Sequence, residues 1–280
     1  MNDRIEQLRA FLQTSTGLAL ERDQRQAIEQ RLSPVAARFG IAQVEDLIDR
    51  HLQQRDPQLS AAVVDAMMTN ETFFFRDRKP FELFQQVILP RLLERKQERR
   101  LRIWSAACAT GQEPYSLAMM VEEAAHSLTG WSVEIVASDI SASALEIARD
   151  GLYNQFEMQR GLPIASLLRH FQPDRDKWRI AEHLRARVQF QQINLINDFT
   201  RLGTFDVIFC RNVLMYFDQA TRKAVLARLA RSLEPDGILM LGATEFTPGD
   251  SPFAPMAESP ALLQLRAPVS EAQRNHLAIA

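Results

Sequence analysis

The chain has 280 residues, 46% hydrophobic and 24% charged, with a formal net charge of −2. That length allows a sizeable core and two domains, and the balance excludes the basic surplus of a nucleic-acid binder. The opening MNDRIEQLRAF lacks the basic-then-apolar pattern of a secretion signal, and no apolar run approaches the ~18 residues of a membrane span. Cys108 and Cys210 stand far apart without metal-ligand spacing, which predicts free thiols, no metal and a cytoplasmic protein.

Residues 1–68 read as helical throughout. Ile5, Leu8, Phe11 and Leu12 recur at helical spacing, and Gly17 stops that helix. Asp23 is a candidate cap for the next. Ile28, Leu32, Val35 and Phe39 form a second stripe, interrupted at Pro34 and closed by Gly40. Val44, Leu47, Ile48 and Leu52 make a third, and Leu59, Val63, Ala66 and Met67 a fourth. Then comes TNETFFFRD, residues 69–77. It packs polar groups and an arginine around three phenylalanines, a mixture that suits neither a plain core nor a plain surface. Residues 76–102 hold nine Lys or Arg against four Asp or Glu, around an apolar stripe of Phe81, Phe84, Val87 and Ile88.

From Leu101 the pattern changes. LRIWSAAC, VEIVASD, VQFQQINL, FDVIFCRNV and ILMLGATE read as strands. TGQEPYSLAMMVEEAA, SASALEIARDG and QATRKAVLARLARSLEPDG read as the helices between them, the last ended by Pro235, Asp236 and Gly237. Strands alternating with helices predict a parallel sheet covered on both faces. Such sheets bind ligands beyond the carboxyl ends of their strands.

The residues at those ends point to one ligand. ACATGQEP follows the first strand, and its small residues and Gly111 let the backbone approach a ligand. It lacks G-x-G-x-x-G, so pyrophosphate is not indicated. Glu113, in the first helical turn, would repel phosphate and suit a cation. Asp139 ends the second strand, where an acid commonly accepts from ribose hydroxyls. Ribose plus a positive centre without phosphate suggests S-adenosylmethionine. Taken singly, Glu113 also serves the helix dipole, and Asp139 also serves to cap the helix starting near Ser141.

In order along the chain, TNETFFFRD, ACATGQEPYSLA, ASDIS, INLI, FDVIFCRNVLMYFD and LEPDGILMLGATE resemble the chemotaxis receptor methyltransferase family, CheR. The resemblance runs to about residue 265. It implies a Rossmann-like S-adenosylmethionine-dependent methyltransferase domain at 101–268. A small helical receptor-docking domain at 1–68 and an active-site linker at 69–100 would precede it. A small β-subdomain would be inserted in the C-terminal half, and 269–280 would be a disordered tail. The implied reaction passes a methyl group from S-adenosylmethionine to chemoreceptor glutamates, leaving S-adenosylhomocysteine.

By the same resemblance, Asn70, Thr72 and Arg76 contact the cofactor or the incoming glutamate. Thr72 and Arg76 would share one face of a helix that the phenylalanines anchor. Glu113 would lie near the methionine part and Asp139 on the ribose. Asn194 and Leu195 would stand beside the adenine, and Arg211 and Asn212 would present backbone groups to the cofactor. Tyr216 would point toward the transferring methyl. Gln112 departs from the Glu of many relatives. Cys108 reads as a packing residue. Arg76 and Tyr216 are the expected catalytic pair.

The implied partners are the cytoplasmic helices of chemoreceptors, met by a monomer, with a regulatory adaptor left open. Arg31 and Arg38, seven apart on one helix, share a face that suits an acidic receptor. The turn PDRDK, within 170–188, carries no glycine-bearing insertion, which favours an enzyme independent of a receptor's C-terminal tether. A small-molecule methyltransferase of the same fold and a non-catalytic adaptor are the alternatives.

Overall fold

The computed structural model describes residues 2–20, 25–54 and 56–266. Asp23 and the 269–280 tail lie outside them. Four helices open the chain: α1 (Asn2–Thr16), α2 (Arg25–Arg38), α3 (Val44–Gln54) and α4 (Pro57–Met67). Their apolar stripes face inward, and Leu8, Leu12, Ile28, Leu32, Leu47, Leu59 and Val63 share one buried cluster. The start of α4 is set by Asp56, whose carboxylate accepts from the Gln58 and Leu59 N–H groups, with Pro57 following. That pairing satisfies two of the N–H groups a helix start leaves free. Pro34 does not break α2 as expected. It stands on the exposed side of the helix, beside exposed Gln30, whose carbonyl loses its helical donor.

The helical stripe after the phenylalanines is one continuous rod. It comprises α5 (Lys79–Leu83), a π-helical turn (Phe84–Ile88) and α6 (Leu89–Arg95). Pro90 explains the π turn, because a proline ring clashes with the carbonyl four residues earlier and the wider turn relieves it.

The remaining chain builds two sheets. It passes through β1 (Arg100–Ala106), α7 (Gln112–Glu123), β2 (Ser132–Asp139) and α8 (Ala142–Asp150). A smaller unit follows: β3 (Leu152–Asn154), α9 (Gln155–Gln159), α10 (Ile164–His170), β4 (Phe171–Asp174), β5 (Lys177–Ile180) and α11 (Glu182–Arg185). The chain then returns through β6 (Val188–Gln192), β7 (Phe205–Cys210), α12 (Gln219–Arg231), β8 (Leu233–Leu241), β9 (Phe253–Met256) and β10 (Ser259–Leu265). The large sheet has the order β6-β2-β1-β7-β8-β10-β9, and the small one β3-β5-β4. The five strands from β6 to β8 are parallel; β10 and β9 close that edge antiparallel.

Every residue of β7 is buried, as a strand covered on both faces must be. Side chains alternate between two cores. Ile103, Val207 and Phe209 join Tyr115 and Phe84 on one face. Trp104, Ile208 and Cys210 join Val225 and Leu226 on the other.

One expected boundary moves. SLEPDG does not end α12 but begins β8. Phe205 pairs with Leu233 and Val207 with Ile238, so two steps along β7 match five along β8. Pro235 and Asp236 are exposed in the resulting bulge, where proline's missing N–H costs no ladder bond.

The chain leaves β1 toward β2 and β6 on one side, then returns to β7 and β8 on the other. This reversal opens a crevice at the carboxyl ends of β1 and β7.

Candidate functional site

The crevice is a pocket enclosing about 910 Å³ of empty space, its open mouth included. Every residue expected at the site lines it: Asn70, Thr72, Arg76, Glu113, Asp139, Asn194, Leu195, Arg211, Asn212 and Tyr216.

The loop after β1 is bent hard. Ala107 and Ala109 adopt φ of 60° and 48°, and Gly111 adopts 95°. Left-handed alanines are strained, and such strain gathers where backbone must face a ligand. A Cβ on Gly111 would sit 2.8 Å from the Ala148 Cβ. Asp139 holds this loop and the next. Its Oδ2 accepts from Ala109 N–H at 2.8 Å and its Oδ1 from Ser141 N–H at 2.9 Å. The helix cap considered for Asp139 belongs instead to Ser141, whose hydroxyl accepts from Ala144 N–H. Each carboxylate oxygen of Asp139 retains a lone pair for the pocket. Burial pushes its carboxyl above the usual range, with Asp65 adding to the shift and backbone N–H groups opposing it.

Glu113 differs from the simple cation site expected. Its Oε1 accepts from Ser105 Oγ and its Oε2 from Arg211 Nη1, both at 2.8 Å. Arg211 is buried, and its Nη2 also donates to Asp77 at 2.7 Å and to the Arg76 carbonyl at 2.9 Å. Three carboxylates, Glu71, Glu113 and Asp139, line the pocket against the two guanidiniums of Arg76 and Arg211, so it still favours a cationic ligand.

The TNETFFFRD segment is not a helix, so Thr72 and Arg76 share no helical face. It runs extended and then turns, with Phe75, Asp77 and Arg78 at positive φ. The phenylalanines anchor that turn in three directions. Phe74 is fully buried, edge-on to Tyr153 and Phe171. Phe75 meets Phe81. Phe73 lies under the guanidiniums of Arg76 and Arg160. Arg76 is therefore supported rather than stranded. Its Nη1 donates to the Glu71 carbonyl at 2.5 Å, and among the described residues it has no carboxylate partner.

Asn194 is more committed than expected. Its amide donates to the Ser15 carbonyl at 2.7 Å, and its Oδ1 accepts from Ile196 N–H. The side chain thus ties the end of α1 to the pocket, and buried Leu195 supplies the apolar wall. Cys108 is a buried packing residue. Burial first, then the nearby Asp139 and Glu113, push its thiol well above its usual range, so it stays protonated.

Two contributors escaped the sequence reading. Glu245 accepts from four backbone N–H groups, those of Asn212, Val213, Met215 and Gly242, at 2.7–3.2 Å. It fixes the loop carrying Asn212, itself at φ 57°, and Tyr216. The signal was available, since Glu245 closely follows a strand end. The other is the end of α1. Thr16 and Leu18 line the pocket, and Leu18 bridges to Phe217. Gly17 had read only as a helix stop.

The donor set fits S-adenosylmethionine. Leu18, Ile140, Ile193, Leu195 and Phe217 offer apolar walls for a base, Asp139 has acceptors for a diol, and the lining carboxylates outnumber the lining guanidiniums. The family model described as "CheR methyltransferase, SAM binding domain" matches residues 70–261.

The chain belongs to the CheR methyltransferase family.

It is a methyltransferase of the Rossmann-like fold that binds S-adenosylmethionine. It is 41% identical over 248 residues to "Chemotaxis protein methyltransferase 1" of Pseudomonas aeruginosa, covering 87% of this chain and 90% of that one. It is 38% identical over 245 residues to "Chemotaxis protein methyltransferase Cher2" of Pseudomonas putida, covering 86% and 89%. Among solved structures, the glycopeptide N-methyltransferase MtfA with sinefungin aligns at a TM-score of 0.37 and 16% identity, over 61% of this chain and 54% of that one. No helix among the described residues is long and apolar enough to cross a membrane.

Proposed function

We propose that this CheR-family enzyme methylates glutamate side chains on the cytoplasmic helices of chemoreceptors, giving glutamate methyl esters. The observation that carries this reading is Arg76. Its guanidinium lines the pocket with, among the described residues, only a carbonyl and a ring for partners, so a planar donor fork remains for a carboxylate. The relatives named for chemotaxis favour the same substrate class.

S-adenosylmethionine supplies an electrophilic methyl group. A glutamate is already ionised near neutral pH, at an ordinary pKa of ~4.3, so the chain needs no general base. Arg76 holds one carboxylate oxygen and leaves the other free. Tyr216, on the short turn fixed by Glu245, helps align it. Asp139 takes the ribose, and Leu195 and its apolar neighbours take the adenine. With no base needed, orientation of the carboxylate against the methyl group is the main contribution.

Arg76→Ala is expected to lower kcat about tenfold to a hundredfold, the worth of one charge-assisted hydrogen bond at ~1.5–3 kcal/mol. S-adenosylmethionine affinity should stay nearly constant. Equal losses in kcat and in cofactor affinity, measured by kinetics and calorimetry, would remove Arg76 from the carboxylate.

The reaction class is tested with methyl-labelled S-adenosylmethionine and a receptor cytoplasmic fragment. Label that mild base releases as methanol is expected. Base-stable label would place methylation on nitrogen or carbon, and label appearing only on a metabolite would favour the small-molecule alternative.

Docking by α2 rests on Arg38 rather than on both arginines. Arg31 is occupied, donating to the Met67 carbonyl at 2.7 Å and to Thr69 Oγ1 at 3.1 Å. Arg38 is exposed. In the small sheet, PDRDK makes a tight hairpin with Arg175 at φ 58°. A turn with no insertion supports a tether-independent enzyme.

A further inference from the structure

The last turn of α7 carries Glu122 to the base of the small sheet. There it meets His170, which ends α10, and His183 on α11. The potential ligand atoms of these three residues lie within 4.8 Å of one another. Around the single oxygen Glu122 Oε1, His183 Nε2 stands at 3.0 Å and His170 Nδ1 at 3.9 Å. The His170 side chain is 0% exposed, yet among the described residues neither of its ring nitrogens has a hydrogen-bond partner. Buried polar atoms almost always have one, and an exception asks for a ligand.

We propose that Glu122, His170 and His183 form a divalent-metal site of the zinc class. Two imidazoles and a carboxylate suit zinc better than the hard, oxygen-seeking cations. Zinc–nitrogen bonds of ~2.0–2.1 Å put tetrahedral ligands roughly 3.3 Å apart, and the two distances above straddle that value. Three protein ligands leave the fourth position to water.

Arg187 Nε lies 3.9 Å from Glu122 Oε2, with its side chain 41% exposed. It serves as a loose partner for the carboxylate and is free to turn into solvent when a metal takes that place. Glu123 adjoins Glu122 on α7, and Arg169 adjoins His170 on α10.

The site joins a helix of the main sheet to two helices flanking the small one. Glu122 lies nine residues along α7 from Glu113, about 14 Å at ~1.5 Å per residue. The metal would therefore brace the small sheet and take no part in methyl transfer.

The test uses the full chain, treated with chelator and then titrated with Zn2+ alone by calorimetry. Co2+, a visible-absorbing stand-in, is titrated in parallel. One ion per chain is expected, with low-coordinate Co2+ bands that Zn2+ displaces, and with a melting temperature raised by Zn2+. His183→Asn changes a side chain that is 54% exposed, so folding should survive. It should weaken Zn2+ binding at least as much as the ~10–100-fold cost of losing an outer-shell partner. Glu122→Gln should do the same. No stoichiometric Zn2+ binding, or binding unchanged in both variants, would overturn the site.

Discussion

Replacing Arg211 with methionine is expected to lower the unfolding free energy by about 3–5 kcal/mol, the cost of breaking a buried ion pair from one side. The guanidinium is 1% exposed and meets Glu113, itself 10% exposed, at 2.8 Å. Without it the Glu113 carboxylate faces the pocket with only Ser105 as donor. Asp77, 35% exposed, can turn to water and should contribute little. Adding Glu113→Gln removes the stranded charge, so the double variant should recover a large part of the loss. Urea unfolding of the two single variants and the double measures the coupling directly. Turnover should fall as well, because Arg211 donates to the Arg76 carbonyl and so holds the turn that aims Arg76. A loss below about 1 kcal/mol would mean that solvent replaces the pairing, as at exposed ion pairs.

This cluster also shows where the sequence was legible and where it was not. Glu113 stood out because it follows a strand end, where parallel α/β sheets place ligands; Arg211 entered by the family resemblance, and Asp77 carried no signal of its own. Which partner each would choose was not legible. Glu113 and Arg211 are 98 residues apart, and only the adjacency of β1 and β7 brings them together. Local spacing carries no information about such a pairing.

The linker is the opposite case. Its composition was legible and its conformation was not. Thr72 and Arg76 at a spacing of four suggest a helix, but Phe74 is worth most when buried between Tyr153 and Phe171. A buried phenylalanine contributes ~1.5–3 kcal/mol, whereas a left-handed residue costs roughly 1–2 kcal/mol. Buried Phe74, with half-buried Phe73 and Phe75 beside it, therefore offsets much of the cost of positive φ at Phe75, Asp77 and Arg78. The β8 bulge has the same origin. Pro235 and Gly237 read as a helix stop, yet Ile238 must pair with Val207 to keep its side chain in the core, and the chain between them loops outward. The small sheet was expected from the family resemblance alone. Its strands of three and four residues are too short to show a period.

Asp139→Ala is expected to weaken S-adenosylmethionine binding by roughly a hundredfold or more, for the loss of two charge-assisted hydrogen bonds at ~1.5–3 kcal/mol each. The pH dependence gives a sharper signature. Burial raises the carboxyl of Asp139 above its ordinary 3.8, so the folded protein holds this proton more tightly than the unfolded chain does. Its ionisation therefore works against folding. As pH falls through the raised value toward 3.8, Asp139 alone makes the cofactor-free protein more stable, not less. The cofactor sees the reverse. A ribose diol needs the ionised acceptor, so affinity drops as pH falls, and it begins to drop at a higher pH than an exposed aspartate would set. Calorimetric affinities across the acid range should slope downward in the wild type and lose that slope in Asp139→Ala. A slope shared by both would belong to another group, and a flat wild-type profile would mean that the buried carboxylate serves the Ala109 and Ser141 loops alone.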